Sequence, residues 1–108
     1  MKFLIHGTQI DVEYTEQSLN TDDTPVSDLH HTSIFYDLGA GPVLVIELLA
    51  SLNTGGGLIS YSFIVPVVAG QEANVNFWAT ASDSSGNESA PSEVVTLRID
   101  RLAPKAPF

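Results

Sequence analysis

Three histidines are the side chains of this sequence best suited to acid–base chemistry: His6, His30 and His31. Catalysis by a nucleophile or a general base needs partner groups within hydrogen-bond reach, and the sequence offers no such constellation around any of the three. His30 and His31 are adjacent, so we expect them to point to opposite sides of a strand. The sequence therefore predicts exposed edge histidines and a protein that is not an enzyme.

Acidic loops offer a second kind of chemistry, because loops rich in oxygen ligands hold calcium. Asp22, Asp23 and Asp28 share one polar loop, and the segment Asp83–Ser89 has a similar composition. Their spacing does not match the calcium loop of an EF-hand. Solvated turns are the favoured interpretation, with calcium binding as the open alternative, so we predict no metal site and no cofactor. The run Gly55–Gly57 lacks the Lys and the helix of a phosphate loop and predicts a linker between strands.

The charge balance excludes several classes of protein. The chain has 108 residues, thirteen acidic and four basic side chains, a formal net charge of −9 and no Cys. Nucleic-acid binding needs clustered Lys and Arg, and a disulfide framework needs Cys, so both are excluded. The longest apolar run, Val43–Ala50, is about ten residues short of a bilayer span, which excludes a membrane protein. A hydrophobic fraction of 44% predicts one folded domain.

Alternating apolar and polar residues predict short strands. Ile10, Val12 and Tyr14 alternate with polar neighbours, which is the period of a strand with one wet face. Four later segments show the same period: Thr32–Tyr36, Tyr61–Val65, Val75–Ser82 and Glu93–Asp100. Val43–Leu49 is apolar on both faces except at Glu47, so a short helix is the alternative there, but its β-branched residues favour a strand. Turn-forming residues separate them, and no long helical period appears. The pattern predicts a single all-β antiparallel sandwich of about seven strands.

Three stretches of the sequence resemble fibronectin type III domains of bacterial or phage type: Asn20–Leu29, Ile34–Tyr36 and Ala79–Val94. The last is the most specific, because the corresponding part of that family spans the sixth strand, the loop after it and the start of the seventh strand. The resemblance covers residues 9–100 and implies an immunoglobulin-like sandwich with a three-stranded and a four-stranded sheet. It leaves residues 1–8 as an arm or first strand, and residues 101–108 as a Pro-rich tail similar to the family's linkers.

Two positions depart from the family's usual pattern. Tyr14 stands in the second strand where the family usually has Trp, and its ring is expected to fill the core in the same way. Val75 stands where the sixth strand usually has Tyr, so the hydroxyl bond of the tyrosine corner cannot form in this chain.

The direction of the aromatic side chains points to a binding surface. If Ile34 and Tyr36 face the core, then Phe35 faces out, and if Phe77 faces the core, then Trp78 faces out. The resemblance makes those two strands neighbours, so Phe35 and Trp78 would share one outer face. Paired exposed aromatics are typical of protein contacts, whereas a lone Trp packed against its own chain is the alternative.

The sequence favours a structural or binding role over catalysis. We expect a decoration or accessory protein of a bacteriophage virion, synthesised in the host cytoplasm, that contacts capsid or tail subunits, further copies of itself or the host surface. Domains of this family are usually found outside bacterial cells, yet residues 1–7 lack the apolar stretch of a signal peptide. A phage particle reconciles the two observations, because it assembles in the cytoplasm and acts outside.

A module of a secreted bacterial protein is the alternative. It would serve as a spacer, or as an adhesion domain that binds host-surface polysaccharide. In that case Phe35 and Trp78 would be a platform on which sugar rings stack. Neither version involves a nucleic acid, a membrane or a cofactor.

Both ends of the chain are predicted docking segments for a protein partner. At the N-terminal end the apolar residues are Phe3, Leu4 and Ile5. At the C-terminal end they are Pro104, Pro107 and Phe108. Extended apolar and Pro-rich segments of this kind commonly add to a sheet edge or fill a groove on another protein.

Overall fold

A computed structural model describes residues 1–107, and within them it has seven strands and no helix. The strands are β1 (Lys2–His6), β2 (Gln9–Thr15), β3 (Leu29–Asp37), β4 (Pro42–Leu49), β5 (Leu58–Ile64), β6 (Glu72–Asp83) and β7 (Val95–Asp100). They form two antiparallel sheets, with the orders β1-β2-β5 and β4-β3-β6-β7. The predicted all-β sandwich is confirmed. Residues 1–107 contain no helix of the length and hydropathy that crossing a bilayer requires.

Strand β2 shows how the sequence period becomes structure. Ile10, Val12 and Tyr14 are buried, while Asp11 and Glu13 lie on the outer face of the three-stranded sheet. Because successive side chains of a strand point to opposite faces, one row of apolar residues is enough to fix which face packs inward. The strand keeps this register against both of its neighbours, β1 and β5.

The core between the sheets is centred on Phe77, which is fully buried on β6. Its ring lies 5.2 Å from that of Phe3 on β1 and 6.1 Å from that of Phe63 on β5, measured between centroids. Aromatic pairs at such distances add about 0.5–1.5 kcal/mol beyond the area they bury. Phe77 therefore joins the four-stranded sheet to both edges of the three-stranded one.

The N-terminal segment is part of this core, which corrects the prediction that Phe3 contacts a partner. Strand β1 pairs with β2 so that Phe3 lies opposite Val12, and Phe3 is only 6% exposed. Ile5 is half-buried and packs against the same core. Leu4 points outward and is 47% exposed, so it is the member of the three whose surface remains accessible.

The C-terminal segment leaves the sandwich at Arg101, whose backbone N–H donates to Gln71 at 2.8 Å. Residues 102–107, which include Pro104 and Pro107, are exposed and belong to no strand. Strand β7, the last strand, ends one residue before Arg101. Phe108, the remaining predicted docking residue, lies outside the described residues.

A buried carboxylate fixes the long connection between β4 and β5. Glu16 is 4% exposed and follows β2 directly. Its Oε2 accepts from the Ser51 N–H at 2.9 Å, and its Oε1 accepts from the Gly57 N–H at 3.2 Å and from the Ser51 hydroxyl. Hydrogen bonds to a charged group contribute more than neutral ones, and a buried carboxylate without them would be strongly destabilising. Hydrogen bonds to Glu16 thus hold Ser51 and the segment Gly55–Gly57 in place, an arrangement called the clamp at Glu16 below.

We predict that Gly55→Ala is much more destabilising than Gly56→Ala. Both residues have positive φ, +69° and +85°, so both substitutions carry the cost of a left-handed backbone, about 1–2 kcal/mol. A methyl group on Gly55 would also collide with the backbone carbonyl of Gln17, whereas one on Gly56 meets nothing within 4 Å. Urea denaturation of the two variants measures the difference, and equal losses would contradict the packing of this loop.

We predict that Phe3→Ala lowers the free energy of unfolding by about 3–5 kcal/mol, because it leaves a void beside Phe77. Leu4→Ala, the matched control on the same strand, should change it by no more than about 0.5 kcal/mol, because Leu4 is exposed. Chemical denaturation checks both. Similar small effects would mean that β1 is not part of the core.

Candidate functional site

Phe35 and Trp78 lie side by side on the outer face of the four-stranded sheet. They are directly opposite each other in the β3–β6 register, and their rings stack with centroids 5.6 Å apart and an interplanar angle of 11°. Their inward neighbours Ile34 and Phe77 are fully buried, which fixes the opposite orientation of this pair. The structure thus brings together the two aromatic residues that the sequence placed on one face.

Leu44 extends the pair toward the edge of the sheet. It is opposite Phe35 in the β3–β4 register and is 48% exposed. Residues directly opposite one another share a face, so Leu44, Phe35 and Trp78 form one apolar row, called the aromatic row below. Simple alternation cannot identify Leu44. The pairing of β3 with β4 skips Val45 between Ile34 and Phe35, and this shift places Leu44 opposite Phe35.

Polar rows flank the aromatic row on both sides. One consists of Glu47, Ser33 and Thr80, and the other of Pro42, Asp37 and Asn76. The segment after β6 covers part of the first row, since the Thr80 hydroxyl donates to Glu88 at 3.1 Å. In the second row Asn76 accepts from Thr96 at 2.6 Å. The aromatic row therefore has a polar rim that carries the carboxylates of Glu47, Asp37 and Glu88.

The four basic residues of the chain do not balance this acidic rim. Lys2 is on the three-stranded sheet and Lys105 is in the tail. Arg98 lies on the same face but pairs with Glu72, and Arg101 donates to a backbone carbonyl. Charges within about 10 Å act on one another at moderate ionic strength, so these carboxylates give the surroundings of the aromatic row a negative potential.

Two serines complete the sheet beside Trp78, in the stretch that resembles the fibronectin type III family. The Ala79 N–H donates to the Ser92 hydroxyl at 2.9 Å, and the Ala81 N–H donates to the Ser89 hydroxyl at 3.0 Å. Pro91 lies between these serines and has no N–H. The hydroxyl oxygens of Ser92 and Ser89 thus accept hydrogen bonds from β6 N–H groups beyond the part of β6 that pairs with β7.

The two adjacent histidines lie together, which corrects the prediction that they point to opposite sides. The β3–β6 register shifts between Leu29 and His31, and this irregularity turns both rings toward each other. Their Nδ1 atoms are 2.7 Å apart, so one nitrogen donates and the other accepts. His31 Nε2 also lies 3.9 Å from Glu47 Oε1.

The acidic loops use their carboxylates to form turns. Asp22 Oδ1 accepts from the Thr24 N–H at 3.1 Å and from its hydroxyl. Asp83 Oδ1 accepts from the Ser85 and Asn87 N–H groups at 3.0 and 2.9 Å, which is the turn chemistry predicted for that segment. Within residues 1–107, no three His, Asp or Glu side chains come together as a metal centre.

A cluster that the sequence did not reveal surrounds Asp11 on the outer face of the three-stranded sheet. Asp11 Oδ1 accepts from Ser62 Oγ at 2.7 Å and from Gln9 Nε2 at 3.0 Å, and Oδ2 lies 3.1 Å from His6 Nε2. The hydrogen bonds from Gln9 and then Ser62 lower the pKa of the Asp11 carboxyl. The cluster joins side chains of all three strands, β1, β2 and β5, on this outer face.

No protein-family model, curated protein or solved structure matches this chain. The class of protein is therefore defined by the structure alone, as an antiparallel β-sandwich of two sheets with an aromatic row on one outer face. The likeness to fibronectin type III domains remains a prediction from the sequence.

We predict that the stability of the domain falls as the pH is lowered below about 4, partly through Asp22 and Asp83. Hydrogen bonds from Thr24 lower the pKa of Asp22, and hydrogen bonds from Asn87 lower that of Asp83. A carboxyl whose pKa is depressed in the folded state stabilises it above the unfolded pKa, and this contribution is lost as the pH falls through the folded pKa.

Thermal denaturation of wild type and Asp83→Asn across pH 2–7 tests this. The variant should have a lower melting temperature than wild type at pH 7, and the difference between the two melting temperatures should shrink as the pH falls. A difference that stays constant with pH would contradict the assigned role of Asp83.

Proposed function

We propose that this chain is a non-enzymatic binding module with a fibronectin type III-like fold, and that it docks on a protein partner through the aromatic row. The observation that carries the proposal is the stacked pair of Phe35 and Trp78 on the outer face of the four-stranded sheet. Aromatic side chains surrounded by a polar rim are the usual anchors of protein interfaces. The division into three and four strands supports the family likeness.

A protein surface fits this face better than a sugar does. Phe35 and Trp78 are nearly parallel and stack on each other, so each ring already uses one of its faces. Asp37 and Asn76, the nearest polar groups of the rim, already accept hydrogen bonds from Gly39 and Thr96. A platform for sugar stacking needs an open ring face and polar groups with spare hydrogen-bonding capacity.

The partner we propose is apolar at its centre and basic at its edge. The carboxylates around the aromatic row have no basic side chain of this chain as a close partner, apart from His31 near Glu47. A partner that presents Lys or Arg would gain complementary charge and cation–π contact with Trp78.

Strand β4 adds an open sheet edge next to the aromatic row. It is the outermost strand of the four-stranded sheet, and Val43, Leu44 and Leu49 are 42%, 48% and 71% exposed. Exposed apolar edges pair readily with strands of other chains. A single partner subunit would therefore cover the edge and the aromatic row together.

The larger role we propose is that of a decoration or accessory subunit of a bacteriophage virion, on the capsid or the tail. A small sandwich with an apolar row on one outer face and an exposed apolar edge strand, β4, beside it supports attachment to a larger protein surface. Leu4, Pro104 and Pro107 are exposed and are available as further contacts. The virion is the location that this role implies.

The second candidate is a spacer or carbohydrate-binding module of a secreted bacterial protein. The second oxygen of Asp37 and the amide nitrogen of Asn76 favour it, because a sugar ring stacked on the indole would reach these atoms of the neighbouring row. Binding of this kind would depend on Trp78 and would be insensitive to the rim charges.

We predict that Trp78→Ala weakens binding to the protein partner by about thirtyfold, the loss typical of a contact worth about 2 kcal/mol. The probes are the purified products of the genes beside this one and a panel of host-surface polysaccharides, with affinity measured by calorimetry. The free energy of unfolding should fall by about 0.5–1.5 kcal/mol for the lost stack with Phe35, and further for the buried area of the half-buried indole.

Leu58→Ala is the matched control, since Leu58 is 68% exposed on the other sheet. It should leave binding unchanged. A large loss of stability with unchanged binding in Trp78→Ala would refute the proposal. Affinity for a polysaccharide alone would establish the second candidate instead.

A further inference from the structure

The contact between His30 and His31 has no role in the sandwich core. His30 is exposed, and the side chain of His31 is 18% exposed. Their rings meet edge to face with centroids 5.0 Å apart, and the two Nδ1 atoms face each other at 2.7 Å. The bulge that creates this contact is a local departure from regular pairing, of the kind often found at functional positions.

We propose that this pair is a binding site for a divalent transition-metal ion, held between the two Nδ1 atoms. Neutral imidazole is a good ligand for Zn²⁺ and for Cu²⁺, and of the two ions Cu²⁺ binds nitrogen sites more tightly. Neighbouring ligands on one strand lose little freedom when they bind the same ion. On metal binding, the proton that the two Nδ1 atoms share would move through solvent to the Nε2 atom of the same ring, so that both imidazoles stay neutral and present Nδ1 to the ion.

The geometry needs only a small adjustment. Two nitrogens that share a tetrahedral Zn²⁺ at about 2.0–2.1 Å are separated by about 3.3 Å. The present distance between the Nδ1 atoms is 2.7 Å, so rotation of one exposed ring provides the room. Water would occupy the other coordination positions, which makes the site open and its ion exchangeable.

Metal-binding histidines commonly donate their other ring N–H to a carboxylate, and Glu47 is the carboxylate beside His31. Its Oε1 lies 3.9 Å from His31 Nε2, the ring nitrogen that does not face His30. A small shift of the exposed Glu47 side chain would form a hydrogen bond from His31 Nε2, and that bond would hold the proton on Nε2 and leave Nδ1 free to bind the metal. The net charge of −9 also favours cations near the surface.

The test is a titration of untagged, chelator-treated protein with ZnCl₂ and with CuCl₂, followed by calorimetry and, for Zn²⁺, by NMR of the imidazole protons. We expect one ion per chain, with shifts at His30 and His31 and none at His6. His30→Gln and His31→Gln should each weaken binding at least about tenfold, and Glu47→Gln should weaken it about tenfold at the same stoichiometry.

His6→Gln is the matched control, because His6 lies on the other sheet beside Asp11. It should bind as the wild type does. Thermal denaturation without metal checks that each variant is folded, and added Zn²⁺ should raise the melting temperature of wild type more than that of His30→Gln. Equal affinities of wild type and His30→Gln, or the same loss in His6→Gln, would overturn the proposal. Binding to the aromatic row is measured separately, so either result leaves the proposed function independently testable.

Discussion

Strand β6 is paired on both sides, with β3 and with β7, and its side chains alternate between the core and the outer face of the four-stranded sheet. The inward residues Val75, Phe77 and Ala79 are at most 4% exposed. A slip of one residue would move Phe77 to the surface and Trp78 into the core, and every contact between the sheets would be lost. Core packing therefore fixes the position of the outer face as well.

This coupling has a consequence for binding. The burial of Phe77 determines the direction of the neighbouring Trp78 side chain, which must point to the outer face. The stack with Phe35 then restricts the ring, so a partner meets a surface that is already ordered. Preorganised aromatic side chains lose little entropy on association, which is why few of them are enough to anchor an interface. In the proposed interface the acidic rim would add selectivity, since it repels acidic surfaces and attracts basic ones.

The sequence predicted those features that depend on period alone. Alternation was enough to find five of the seven strands, β2, β3, β5, β6 and β7, and to place Phe35 and Trp78 on one face. It could not place Phe3, because a short terminal segment shows its buried face only once its partner strand is known. The clamp at Glu16 involves residues 35 and 41 positions away, and the cluster at Asp11 involves Ser62, 51 positions away. Nothing local in the sequence signals such contacts. The two bulges, which unite His30 with His31 and place Leu44 opposite Phe35, arise from sheet pairing and break the simple period.

Trp78 is the single Trp of the chain, so Trp fluorescence, excited where the three Tyr do not absorb and corrected for the partner alone, reports on the aromatic row. The most direct test of the central claim is acrylamide quenching of this fluorescence in the free protein and in its complex with the partner. If the aromatic row is the binding surface, the quenching constant falls when the partner is bound, because the indole becomes covered. A complex that forms while the quenching of Trp78 remains unchanged would contradict the account.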